Sequence, residues 1–172
     1  ISDRCLQLLS TVLPDHLPKR IREYRDKFDH YMIFVASDEG IKEMESLLSR
    51  ETCNSIDYEF FKCDDLEGSD VLLHRYVAGS APARFKVINS DQVGEILPLD
   101  IALPRNFELW YEDLPFEITR DMSASFQMGH FLCMVFHWDF VVKKGVDADI
   151  LKRKILKILD DYGAKYPAEH NV

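Results

Sequence analysis

The feature that most narrows the folding choices is the apolar, aromatic-rich run at residues 125–144, the longest in the chain. Its length suits a strand, a bend and a second strand. The segment that follows has helical periodicity: Ile150, Leu151, Ile155, Ile158 and Leu159 make one apolar stripe against a charged face. Asp147 stands where an N-cap belongs and Gly163 where the helix should stop.

Upstream, the pattern keeps alternating. The first thirty residues read as helix, a turn punctuated by Pro14 and Pro18, then a charged helix. Residues 31–36 form a short apolar run of strand length. Ser37 and Asp38 then offer a cap to a helix carrying Ile41, Met44, Leu47 and Leu48. Residues 56–63, with Ile56, Tyr58 and Phe60 on one face, read as another strand, and residues 71–78 as helix until Gly79 and Pro82. Periodicity is ambiguous at 84–89. Residues 95–103 read as a strand whose Pro98 belongs at an edge or a bulge, and residues 108–122 as helix around Pro115. Strands and helices bounded by hairpin-like turns predict the α+β class, an antiparallel sheet flanked by helices. A parallel doubly wound sheet is the alternative, but no GxGxxG or GxxxxGK[ST] turn is present for a nucleotide.

A net charge of −9 argues against nucleic acid, whose binders carry a basic field. The acid excess is uneven, since Lys19, Arg20, Arg22, Arg25 and Lys27 face only Glu23 and Asp26 within residues 19–27. Such a stretch is either a solvated helix face or a contact for anionic membrane lipids. No run approaches the eighteen or so apolar residues of a membrane-spanning helix. Cys5, Cys53, Cys63 and Cys133 show no CxxC spacing and lie in or beside apolar runs. They are expected to be reduced, mostly buried thiols of a cytosolic compartment. The opening Ile-Ser-Asp-Arg, without Met, suggests a piece of something longer.

Several side chains are candidates for chemistry. His130 and His137 bracket the apolar residues 131–136; on an unbroken strand they would point to opposite faces, so they converge only if a bend intervenes. Glu169 and His170 follow Pro167 in a loop, where catalytic groups concentrate, although a solvated tail pair is equally compatible. Arg75 and Arg84 offer planar forks suited to a substrate carboxylate, or to ordinary surface duty. Lys143 and Lys144 present a further cationic pair at a strand end.

Stretches along almost the whole chain resemble the respiratory, quinone-dependent, FAD-containing D-lactate dehydrogenases: HLPK at 16–19, YRDK at 24–27, LHRY at 73–76, LDIALPR at 99–105, WYEDLP at 110–115, GHFLC at 129–133 with FH at 136–137, VKKGVD at 142–147 and YPAEHNV at 166–172. They occur in matching order. The resemblance implies a fragment of an enzyme that oxidises D-lactate to pyruvate and passes electrons to a quinone. FAD would be bound mainly by a domain of the same polypeptide absent from this chain, so the isolated fragment would be inactive. Residues 1–29 would end a membrane-binding region, 30–165 would be the α+β cap domain on the substrate side, and 166–172 would begin the return to the FAD domain. The enzyme would sit peripherally on the cytoplasmic side of the inner membrane.

By the same resemblance His170 is the base beside the flavin, Arg75 engages the substrate carboxylate, and a divalent metal is held by His130, His137 and Glu169; Arg84 is a further candidate for substrate binding. This chain departs from the wider group, which has His-x-Gly-Asp-Gly-Asn-x-His and Gly-Glu-His-Gly: bulky apolar residues stand between its histidines, and Ala168 and Asn171 flank Glu169 and His170. Two other functions stay open: a non-catalytic membrane-docking or assembly module, and the same scaffold acting on another D-2-hydroxy acid.

Overall fold

A computed structural model describes all residues except 1–2, 11, 51–57, 110–113, 131–132 and 169–172. The chain divides into two compact units, Ile1–Val12 with Gly79–Val172, and Leu13–Ala78.

The first unit is built on an antiparallel three-stranded sheet of β1 (Val93–Ala102), β2 (Met122–His130) and β3 (Val135–Lys143), in the order β1-β3-β2. The fold is therefore α+β, as the alternation implied. The long apolar run became the β2–β3 hairpin because its two arms pair throughout, from Ala124 opposite Val141 to His130 opposite Val135. The middle strand β3 alternates strictly: Phe136, Trp138, Phe140 and Val142 point to the core and Val135, His137 and Asp139 to the other face. β1 lies at the margin, carries Pro98 where a missing donor is tolerated, and shifts register between Val93 and Ile96.

Helix α7 (Ala148–Asp161) covers the core face. Leu151, Ile155 and Leu159 are at most 1% exposed and pack with Leu97, Leu99 and Ile101 of β1 and with Trp138 and Phe140. Burying each such side chain contributes about 1.5–3 kcal/mol. Asp147 caps the helix by accepting the Ile150 N–H at 2.9 Å, and Gly163, at φ 70°, ends it. On the opposite face α5 (Ala81–Ile88) lies over one end of the sheet, with Phe85 edge-on to Phe126 at 5.9 Å. Helix α1 (Asp3–Leu9) joins it through Arg84, whose guanidinium donates to Gln7 Oε1 at 3.4 Å.

The second unit holds α2 (Lys19–Lys27), α3 (Asp38–Arg50) and α4 (Asp65–Gly79), the last helix ending one residue beyond it. Ser37 caps α3 through the Gly40 N–H at 3.2 Å. Asp64 and Glu67 form a reciprocal capping box on α4, each side chain accepting from the other's backbone N–H. All five basic residues of 19–27 have acidic partners inside this unit: Lys19 with Glu23, Arg20 with Glu67, Arg22 with Asp15, Arg25 with Asp15 and Asp26, and Lys27 with Glu59. Arg20 also lies over the Phe61 ring.

Four expectations need correction. Residues 31–36 carry no helix and join no ladder among the described residues, because strand propensity yields a strand only where a neighbour pairs with it. Residues 58–63 likewise form no strand, while 56–57 lie outside the described residues. Only Phe116–Thr119 (α6) of the segment 108–122 is helical among the described residues: Pro115, at ψ 148°, serves as its N-cap, and Met122 is already paired with Val142. Finally, Cys5 and Cys133 are exposed and Cys63 is partly so; Cys53 lies outside the described residues. Apolar neighbours in sequence did not bury those thiols.

Candidate functional site

The polar face of the sheet is left by α5 with one end carrying a cluster of titratable groups. His130 lies opposite Val135 and His137 opposite Met128, which makes the two histidines diagonal neighbours on one face. Their ring centroids are 5.7 Å apart and the rings nearly perpendicular, at 84°. The bend required by their spacing is the chain reversal between β2 and β3, where Met134 takes φ 55°.

Asp100 of β1 is the register partner of His137 on its other side, and its Oδ1 lies 2.6 Å from His137 Nδ1. A carboxylate can only accept, so Nδ1 carries the hydrogen and Nε2 becomes the nitrogen that a second group can engage as an acceptor. Asp139, two residues along β3, shares this face. Burial pushes its carboxyl above the ordinary value; the neighbouring charge of Asp100 adds to the rise, while His137 partly offsets it. A histidine bonded to one carboxylate and sharing its face with a second that burial disfavours as an anion is a candidate for proton chemistry.

The end of the chain is tied to the same place. Lys165 exchanges both backbone hydrogen bonds with Ala102, each at 2.8 Å, and the Ala168 N–H donates to the Asp100 carbonyl at 2.8 Å. Residue 168 is therefore anchored beside the strand position that orients His137. Glu169 and His170, the next two residues, lie outside the described residues.

The structure thus unites His130 and His137 and adds Asp100 and Asp139, which the sequence reading did not single out. Alternation within β1, with Leu97, Leu99 and Ile101 inward, would have put Asp100 on the polar face; its pairing with His137 depends on register, which no spacing reveals. Arg84 is exposed on α5, and Arg75 is exposed on α4 of the other unit. The Lys143 ammonium donates to the Arg120 carbonyl at 2.6 Å, so it serves to close a turn.

Two imidazoles, one oriented by a carboxylate, are the donors a divalent ion such as zinc favours. Among the described residues no group of three His, Cys, Asp or Glu side chains forms a ligand set, and Glu169, the third ligand that the resemblance implies, lies outside them.

Comparison with known proteins gives a consistent answer. A family model described as "D-lactate dehydrogenase, membrane binding" matches residues 1–172. The chain is similar to the quinone-dependent D-lactate dehydrogenase of Escherichia coli, 43% identical over 171 residues, which covers 99% of this chain and 30% of that protein. It is 40% identical over 172 residues to the enzyme of the same description from Haemophilus influenzae, covering 100% of this chain and 30% of that protein. The corresponding protein of Corynebacterium glutamicum is 37% identical over 172 residues, 99% of this chain and again 30% of the relative. The chain therefore spans about 30% of the length of the curated relatives it matches.

Proposed function

The chain belongs to the D-lactate dehydrogenase membrane-binding family, and from that premise we propose that it is part of a longer FAD-dependent enzyme that oxidises D-lactate to pyruvate and passes the electrons to a quinone. The observation that carries this reading is the polar cluster of His130, His137 and Asp100 at the strand position where the chain end is anchored. It supports a site beside which the backbone is anchored as far as Ala168, with Glu169 and His170 next in sequence.

In this reading His170 accepts the proton of the substrate's 2-hydroxyl, and Arg75 and Arg84 are the candidates for engaging its carboxylate. The flavin, held mainly by polypeptide outside residues 1–172, supplies the hydride acceptor when bound. His130 and His137, with Glu169, would hold a divalent ion whose charge favours the ionised hydroxyl. Asp100 keeps His137 in the tautomer that can ligate. Residues 1–172 alone are inactive with D-lactate.

In this reading attachment is peripheral, on the cytoplasmic side of the inner membrane, as the membrane-binding family description suggests; no helix among the described residues is long and apolar enough to cross a bilayer. Contact with anionic lipid would fall to the outer reaches of α2, where the Lys19 side chain is 84% exposed.

The test uses the full-length polypeptide. His170→Ala should slow flavin reduction by D-lactate by roughly 10²–10⁴-fold in stopped-flow absorbance. Reduction at the wild-type rate removes His170 from the base role, and faster reduction by D-malate or D-2-hydroxyglutarate would reassign the substrate.

A further inference from the structure

His130 and His137 belong to a square of four side chains on the sheet face turned away from the core. Met128 is the register partner of His137, and Val135 that of His130. The histidines take one diagonal, with ring centroids 5.7 Å apart, so Met128 and Val135 take the other and flank the line between the imidazoles. Both are partly buried. A small molecule that touches the two imidazoles therefore meets an apolar side chain on either hand.

Fixed charge around the square has one sign. Asp100 lies opposite His137 on β1, and Asp139 follows it on β3. The three strands contain a single lysine or arginine, Lys143, whose ammonium is engaged at the Arg120 carbonyl. It stands about 20 Å along the strand from His137. Arg84, on the helix over this face, is directed to Gln7 of α1. A second carboxylate on a substrate needs a guanidinium or ammonium to hold it, and near-by acids repel it. A methyl group needs neither.

We propose that Met128, with Val135 across the square, is the specificity-determining residue of this site: it receives the apolar substituent on C2 of a D-2-hydroxy acid and leaves a second carboxylate without a counter-charge. The proposal rests on the reading that the site oxidises such an acid, and adds which side chain selects among them.

The test compares kcat/KM values of the full-length enzyme. Met128→Lys should shift the D-malate to D-lactate ratio about tenfold or more toward D-malate, and Met128→Ala should shift the D-2-hydroxyisocaproate to D-lactate ratio by about tenfold toward the longer acid. A shift in the expected direction in either variant supports the assignment. Ratios that stay fixed in both, all acids gaining or losing together, reveal a merely structural methionine and overturn it, as does a shift the other way. Should the variants fail to fold, the wild type decides: D-2-hydroxyisocaproate should compete with D-lactate at a lower concentration than D-malate, whose carboxylate has the same branched shape. Equal or weaker competition overturns the proposal. Flavin reduction by D-lactate in the wild-type preparation reports separately on the catalytic reading: its absence defeats that reading, whereas its presence with unmoved ratios defeats the role of Met128 alone.

Discussion

Gly129 shows how closely the sheet is fitted around the histidine pair. A Cβ at this position would lie 2.5 Å from Phe136 Cδ1 and 2.8 Å from Cε1, well inside contact distance. Phe136 is 5% exposed and flanked by core residues, so its ring has little space to retreat. Gly129→Ala should therefore cost about 1–3 kcal/mol by forcing the core open, measurable by chemical denaturation. The affected residues each precede a histidine of the site, so the distortion reaches His130 and His137 directly. Asp100 makes a sharper prediction. While it accepts from His137, the neutral imidazole keeps its proton on Nδ1. Asp100→Ala should move that proton to Nε2, seen in the ¹⁵N resonances of the ring, and lower turnover of the full-length enzyme about 10–100-fold. An unchanged tautomer would show that the carboxylate does not orient the ring.

Elements differed in how far their residues announced them. Helix α7 was legible in its cap, stripe and terminator, which are all local: Asp147, Leu151 with Ile155 and Leu159, and Gly163; of the apolar stripe only Ile150 is exposed. Replacing Asp147 by Ala should remove the Ile150 N–H acceptor and lower stability by about 1 kcal/mol, read as a reduced denaturation midpoint. The β2–β3 hairpin was legible as two strands and a bend, but the meeting of its histidines was not, since that depends on which residues face each other across the ladder. Residues 31–36 mark the opposite limit. Their composition suits a strand, yet strand formation is a property of two segments, and none pairs with them among the described residues. In 108–122 a helical expectation overlooked the claim that β3 makes on Met122 through pairing. The candidate site was legible in His130 and His137 and not in Asp100 or Asp139, whose relevance comes from their neighbours in space.

Acid should act on the whole molecule through the Leu13–Ala78 unit first. His16 Nε2 and His74 Nδ1 are 3.0 Å apart, with Asp15 and Arg25 among the charged groups around them. Burial lowers the affinity of His74 for a proton, and the charges of His16 and Arg25 lower it further, while Asp15 opposes them. A histidine whose folded pKa is depressed contributes stability that is complete above its unfolded value of about 6.5 and declines as pH falls below it. Glu67, held low chiefly by its hydrogen bond from Arg20, and Asp15, held low chiefly by the Leu17 N–H, add a second loss as pH falls through the ordinary carboxylate range. Protection of α4 amides, relative to their intrinsic exchange, should accordingly begin to fall as the pH drops below about 6.5, and His74→Gln should abolish that first step while leaving the carboxylate step in place. At this scale the β2–β3 hairpin also has a bearing on quality control. Were its arms to pair one position out of step, an imidazole would enter the hydrophobic interior and the indole of Trp138 would turn to water. Such a misaligned copy would lose its packed core and its histidine pairing in the same step.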